Sequence, residues 1–389
     1  EIERLWQVPP AGDYVRVALA GVPFFQTPKP RWESLHSIQA ILSLYEITGE
    51  QQYRLAFEHL WRSICAHDRR NTGGFTSGEK ANGNPYSPTG IETCGTVAWM
   101  ALSTDMLRLT GDSQVADELE LSTLNAALGS QSPSGRWWTY STPMDGVRKA
   151  SAHAIVFQAR EGSPELNCCA VNGPRSLGML SEWAVMVSRH GVVLNYYGPS
   201  TFTLSLPDGQ GLVLRQETEY PRRGAISLTV EPERSTAFAL SLRIPAWSQQ
   251  TRVEVNGQMV AGIEPGHYLT LSRKWQPGDK IHLTLDSSLR RWQGEREASG
   301  KASLYYGPLL LAYDRRFNDI DPEDLQAPDP AVTPELVDYK GWGPAPWVLL
   351  RLRDVAGRDL FLCDFALAGA AGTPYRTWLP YAPGSGLGK

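Results

Sequence analysis

The chain has 389 residues, of which 42% are hydrophobic and 20% charged, and a net charge of −4. That length calls for two or three domains, and the composition is that of an ordinary globular protein. The mild acidity, with a pI near 6.0, argues against a nucleic-acid partner, because phosphate binding needs a basic face. No run of about 18 apolar residues occurs, so no membrane helix is expected. No basic, then apolar, opening segment precedes the rest, so no signal peptide is expected either. The 13 Trp and 15 Tyr suit stacking on sugar faces and a large β-rich core equally well.

Residues 1–33 read as irregular, broken by Pro9, Pro10, Pro23, Pro28 and Pro30. From Ser34 the spacing turns helical. Leu35, Ile38, Leu42 and Tyr45 form one stripe that ends at Gly49, and Tyr53, Phe57, Leu60 and Ile64 form the next. A loop rich in Gly, Asn and Pro occupies 71–90. Ala98, Leu102, Met106 and Leu109 then define a helix ending at Gly111, and Val115, Leu119, Leu121 and Leu124 another. The turn Tyr45-Glu46-Ile47-Thr48-Gly49-Glu50 recurs as Leu107-Arg108-Leu109-Thr110-Gly111-Asp112. A repeated helical hairpin predicts an α/α toroid, with a plain bundle as the simpler alternative. Residues 130–165 read as irregular. A last helix is expected over 176–187, with Leu177, Leu180, Trp183 and Val187 on one side.

Near residue 191 the period changes from 3.6 to 2. Alternating stretches follow around Phe202, Leu212, Ile226, Phe238, Val253, Leu269 and Ile281, with Asn256-Gly257 as a hairpin turn. Short strands at this spacing predict antiparallel β-sandwich modules. Residues 305–313 are apolar on both faces and read as one central strand. Residues 316–345 read as a loop, 347–353 and 360–365 as strands, and the Gly-rich tail after Tyr381 as frayed. The expected class is α+β multidomain: a helical domain over 1–190, a β-sandwich over 191–315, and a loop with further strands over 316–389.

Five cysteines make a disulfide scaffold a poor reading, and the adjacent Cys168 and Cys169 would close a strained ring. Reduced thiols point to a cytoplasmic chain, although metal-held thiolates would also persist outside a cell. Glu92, Cys94, Cys168 and Cys169 form a candidate zinc set, because Zn2+ accepts thiolate and carboxylate in a tetrahedron. The competing reading is that the thiols are small buried apolar groups, and no Cys-x-x-Cys knuckle decides between them. Glu79 lies in the glycine-rich loop, where functional residues gather and solvated acids are also common. Taken singly, His36 reads as a hydrogen-bonded structural residue and Tyr140 as a packing residue. Cys65 and Cys363 read as structural, and His190, His267 and His282 carry no motif.

Together these motifs resemble glycoside hydrolase family 127, the β-L-arabinofuranosidase family. His36, Gly78-Glu79, Glu92-Thr93-Cys94, Tyr140-Ser141-Thr142-Pro143 and Cys168-Cys169 occur in the family's order. Leu242-Arg243-Ile244-Pro245-Ala246-Trp247, Val255-Asn256-Gly257, Trp275-Gln276-Pro277-Gly278-Asp279 and Tyr306-Gly307-Pro308-Leu309 follow, then Tyr375-Arg376-Thr377-Trp378-Leu379. The resemblance implies an (α/α)6 barrel followed by β-sandwiches. It also implies a retaining hydrolase that releases a terminal furanoside, such as β-L-arabinofuranose or a related plant-wall sugar. Glu92, Cys94, Cys168 and Cys169 would bind zinc. Cys168 would also be the nucleophile, a protonated Glu79 the general acid and then the base, and His36 and Tyr140 sugar contacts.

Five or six helices are legible before residue 191, so the barrel is expected to be incomplete on its N-terminal side. A second copy or a further N-terminal segment would then cover the half-barrel. The chain also has Leu166 where many relatives carry a histidine, and its loop from Glu79 to Glu92 is slightly shorter. The expected partner is an oligosaccharide or glycoside. Two rival readings are a non-catalytic, zinc-containing carbohydrate-binding homologue and a toroidal polysaccharide lyase. A lyase would need a Tyr or His base and an arginine cluster for uronates.

Overall fold

The computed structural model describes residues 4, 12–75, 79–148, 168–341 and 343–381. Leu166 and the tail beyond Tyr381 therefore lie outside the described residues. The helices are α1 (Tyr14–Leu19), α2 (Ser34–Thr48), α3 (Gln51–His67), α4 (Thr93–Thr110), α5 (Ser113–Leu121), α6 (Cys168–Gly178) and α7 (Leu180–Trp183). A π-helical stretch, Ser122–Ala127, continues α5 into a final turn at Leu128–Ser130.

The repeated turn has the same construction twice. Gly49 and Gly111 adopt φ of 73° and 61° as C-caps, a left-handed conformation that glycine enters without steric cost. Their N–H groups bond back to Tyr45 and Leu107 carbonyls at 2.7 and 2.8 Å. Thr48 and Thr110 hydroxyls donate to Leu44 and Met106 carbonyls, both at 2.7 Å. Each threonine oxygen then accepts the next helix's leading N–H at 3.2 Å. Asp112 also caps α5 by accepting from the Gln114 N–H at 2.9 Å.

The predicted stripes meet in one core. Leu35, Ile38 and Leu42 of α2 bury with Phe57, Leu60 and Ile64 of α3, Leu102 and Met106 of α4, and Val115 and Leu119 of α5. Trp61 stacks on Trp99 with ring centroids 5.3 Å apart. Each such large apolar side chain contributes about 1.5–3 kcal/mol on burial.

Strands β3 (Val185–Ser188), β4 (Gly191–Leu194), β8 (Thr236–Ile244) and β11 (His267–Trp275) form a four-stranded sheet in the order β11-β8-β4-β3. Strands β5 (Ser200–Ser205), β6 (Gly211–Thr218), β7 (Ala225–Pro232), β9 (Arg252–Val255), β10 (Gln258–Met259) and β12 (Asp279–Thr284) form a six-stranded one, ordered β10-β9-β12-β7-β6-β5. Leu214, Leu228 and Val230 of the second sheet share a core with Val192, Leu240 and Leu242 of the first, which makes a sandwich. Asn256 and Gly257 at φ of 50° and 78° turn the β9–β10 hairpin.

A third sheet contains β13 (Leu289–Gln293), β14 (Lys301–Tyr306), β15 (Leu309–Asp314), β16 (Glu335–Leu336), β17 (Leu349–Arg353) and β18 (Asp359–Asp364). Two short strands, β19 (Tyr375–Arg376) and β20 (Leu379–Pro380), pair with β15 and β14.

The described helices are fewer than a closed ring of hairpins requires, so they do not by themselves make a complete toroid. Several other expectations are corrected. Residues 14–19 are helical although 1–33 read as irregular, because Tyr14, Val15 and Ala18 bury one face against the core. The helix expected over 176–187 begins at Cys168, and residues 185–188 form a strand. The sandwich is antiparallel except that β4 and β8 run parallel. Residues 305–313 form a hairpin, with Gly307 at φ 53° and Pro308 in its turn. Strand pairing also crosses the 315/316 division, since β15 pairs with β18.

Polar contacts lock the helical layer to the sheets. Arg243 of β8 is fully buried, pairs with Asp117 of α5, and reaches Glu120 at 2.6 Å. Tyr220 donates to the same Glu120 at 2.6 Å. Asn125 donates to the Pro308 carbonyl at 2.9 Å and accepts from the Leu310 N–H at 2.7 Å. No described helix is long and apolar enough to cross a membrane.

Candidate active site

The N-terminal ends of α4 and α6 bring the candidate residues together. The two-residue strand β1 (Ile91–Glu92) pairs with β2 (Ser141–Thr142), with Glu92 opposite Ser141. The Thr93 N–H and hydroxyl then bond the Tyr140 and Thr139 carbonyls at 3.0 and 2.7 Å. These bonds fix Tyr140 beside the first turn of α4, which carries Cys94.

Cys168 and Cys169 open α6, so all three thiols stand at helix N-termini, where the positive dipole end favours thiolate. Gly173 lets α6 approach closely, because a Cβ there would stand 2.2 Å from the Trp138 ring. The three sulfurs lie within 4.8 Å of one another. Cys94 and Cys169 sulfurs are 3.2 Å apart, and Cys168 and Cys169 sulfurs 3.9 Å. Cys94 and Cys169 are buried and Cys168 is exposed. Asn172 donates to the Cys94 sulfur at 3.3 Å.

The electrostatics separate the roles of these groups. Cys169 and Cys94 thiols donate toward Cys168, which pulls the Cys168 thiol well below its usual value. The same interactions push Cys94 and Cys169 up. Glu92 is fully buried, and neither of its carboxylate oxygens has a hydrogen-bond partner among the described residues. Burial raises its pKa to about 8, with the negative charges of Glu79, Cys168 and Glu33 adding to the effect. Glu92 is not part of the 4.8 Å sulfur group. A buried unpartnered carboxylate beside three clustered thiols is costly without a cation. Thiolate and carboxylate are zinc ligands, so this donor set fits that ion.

Glu79 sits at φ 60°, in the left-handed region, where a non-glycine residue is strained. Its Oε1 accepts from the Tyr140 hydroxyl at 3.0 Å, and its Oε2 pairs with Arg31 at 2.5 Å. The expected general acid therefore faces a guanidinium. Arg31 also pairs with Glu33 at 2.9 Å. His36 is exposed on α2, with Nδ1 2.9 Å from the Gln39 side-chain oxygen. Its ring meets Trp32 edge-on at 6.3 Å, and Trp32 packs on the Cys94, Tyr140 and Cys169 cluster.

The fold thus gathers Cys94, Cys168 and Cys169, sets the Glu79–Tyr140 pair beside them, and leaves His36 one ring further out. Sequence reasoning missed Arg31, Trp32 and Asn172. Asn172 stands four residues after Cys168, a helical spacing that becomes visible once α6 starts at Cys168. Arg31 lies in a proline-rich stretch without periodic signal. Cys65 is half-buried and Cys363 is buried in the third sheet, and neither approaches the cluster.

The described chain is a helical layer joined to three large β-sheets, with a thiol-rich centre at two converging helix ends. Residues 25–182 match the family described as Beta-L-arabinofuranosidase, GH127 catalytic domain, and residues 191–287 its GH127 middle domain. The chain belongs to glycoside hydrolase family 127. It is 25% identical over 299 residues to a non-reducing end β-L-arabinofuranosidase of Bifidobacterium longum subsp. longum, a match covering 71% of this chain. The chain spans only 44% of that relative's length. A solved glycoside hydrolase superposes with a TM-score of 0.79 at 23% identity, over 93% of this chain and 68% of its own. A GH127 β-L-arabinofuranosidase from Geobacillus stearothermophilus also gives 0.79, at 22% identity, over 92% and 62% of the two chains.

Proposed function

We propose that this chain carries the catalytic centre of a retaining glycoside hydrolase acting on a terminal furanoside, with β-L-arabinofuranose the favoured sugar. The observation that carries this reading is the exposed Cys168 thiol, with its pKa pulled down, beside two buried thiols and the unpartnered carboxylate of Glu92. Glu92, Cys94, Cys168 and Cys169 would hold zinc, which when bound would keep the thiols ionised at neutral pH.

In the proposed reaction Cys168 Sγ attacks the anomeric carbon as the glycosidic C–O bond breaks. Glu79 gives its proton to the departing oxygen. Glu79 then takes a proton from water, whose oxygen displaces the sulfur and returns the thiolate. Two displacements at one carbon retain configuration. A thiolate replaces one of the two carboxylates, about 5–5.5 Å apart, that most retaining enzymes use. Tyr140 holds Glu79 in place through its hydroxyl. Arg31 must yield when Glu79 is protonated, so the reaction requires the Arg31–Glu79 pair to open as the glycoside enters. His36 and Trp32 would border the sugar.

The helical layer is proposed to be part of an (α/α)6 barrel, completed by a further segment or a second copy. The division we propose is a helical unit to about residue 190, a sandwich to about residue 288, and the third sheet beyond. Proton NMR of the first-formed sugar from an aryl β-L-arabinofuranoside tests the mechanism. The β-anomer is expected, and the α-anomer as first product would exclude it.

A further inference from the structure

A second cavity lies where the helical layer, the sandwich and the third sheet meet. It has a volume of about 360 Å³ and includes none of the residues assigned to the catalytic centre. Ligand clefts of about 300–1,000 Å³ hold a small molecule. The indoles of Trp247 and Trp292 are only half-buried and line it, together with Arg69, Glu118 and Arg290.

Arg69 and Glu118 are paired at 2.8 Å, so they neutralise each other. Arg290 differs. Its Nε is buried without a hydrogen-bond partner, and its one hydrogen bond among the described residues is a long one to the Gly307 carbonyl, 3.3 Å. Its guanidinium is fixed over the Tyr305 ring, 4.3 Å from the centroid.

The lining chemistry selects among ligands. An apolar molecule would leave the buried Arg290 Nε unanswered. An inorganic anion would suit Arg290 but would meet carboxylates and make no use of the indoles. A sugar ring meets all three features: hydroxyls that both donate and accept, and C–H faces that lie on aromatic rings.

We propose that this cavity is a second saccharide-binding site, taking one or two neutral sugar units of a glycan through Arg290, Glu118, Trp247 and Trp292. It does not depend on the thiol centre, so it stands whether or not that centre is catalytic.

Titration calorimetry of the full chain tests this, with neutral arabino-oligosaccharides as probe, sodium sulfate as control anion, and Cys168→Ser as background so that no probe is consumed. Saccharide binding is expected, at least tenfold weaker in Arg290→Gln and in Trp247→Ala. Ala246→Trp fills the cavity mouth and removes no side-chain hydrogen bond, so it should also block binding while its melting temperature stays near that of the parent. Binding unchanged in the folded Ala246→Trp variant would overturn the proposal. So would binding of sulfate alone, or no saccharide binding by the parent. Turnover of an aryl furanoside by the Ala246→Trp chain with Cys168 intact should match wild type, which separates failure of this site from failure of the catalytic reading.

Discussion

Arg243→Met should be among the most damaging single changes outside the thiol centre. Arg243 is fully buried, and its guanidinium answers Asp117, Glu120 and the Asn195 carbonyl. Met keeps much of the apolar stem but strands two carboxylates. Glu120 retains the Tyr220 hydroxyl at 2.6 Å, and Asp117 retains the Ala246 N–H at 2.8 Å. Breaking a buried ion pair from one side costs about 3–5 kcal/mol, which corresponds to a fall of roughly 10 °C in melting temperature. Burial already raises Asp117 to about 6 despite Arg243. Without the arginine Asp117 resists ionisation further, so the defect should grow between pH 5 and pH 8. Thermal melts followed by circular dichroism at the two pH values measure it. Arg351→Met is the control, because the Arg351–Asp359 pair at 2.8 Å is exposed and screened by solvent, so its loss should barely move the melt. Equal melting temperatures for Arg243→Met and Arg351→Met would refute the reasoning.

Three further outcomes are expected. Asp68 is buried, accepts from Asn82 and Gly83 N–H groups at 3.1 and 2.9 Å, and is raised from 3.8 to about 6 chiefly by burial. Its stabilising contribution is present below about pH 3.8 and is lost as pH rises through 6. Wild type should therefore lose stability relative to Asp68→Asn over that window, and parallel melting curves would show the sign to be wrong. Gly173→Ala would place a Cβ 2.2 Å from Trp138, so overpacking should cost about 1–3 kcal/mol and loosen retention of the proposed zinc in a chelator competition. Wild-type melting and retention would contradict that packing. Tyr140→Phe removes the hydroxyl held at 3.0 Å by Glu79. It should cut kcat by roughly tenfold or more with little change in melting temperature, and unchanged kcat would remove Tyr140 from the site.

The helical hairpins were legible because their buried faces use large residues at regular spacing, as Leu35, Ile38 and Leu42 show. Helix α6 was misplaced for the opposite reason. It buries Cys169, Gly173 and Ser176, small residues that leave no hydropathy stripe, and it contains Pro174. Leu177 and Val187, read as its buried face, are instead the exposed residues. The hairpin at Gly307-Pro308 was hidden because Leu309 to Asp314 is buried on both sides. The thiols were visible as residue types in the family's order. Their convergence depends on β1–β2 pairing and on the Gly173–Trp138 contact, which no local pattern encodes. Arg31 was invisible because its tie to Glu79 is set by a bridge between Arg31 and Lys80, distant in sequence.

The most direct test is turnover of an aryl β-L-arabinofuranoside by the zinc-loaded chain, compared with Cys168→Ser and with Cys65→Ser as a thiol control. The nucleophile assignment predicts turnover by wild type and Cys65→Ser, and a loss of at least about a thousandfold in Cys168→Ser with melting temperature preserved. Turnover by Cys168→Ser at the wild-type rate, or none by wild type with zinc bound, would contradict it.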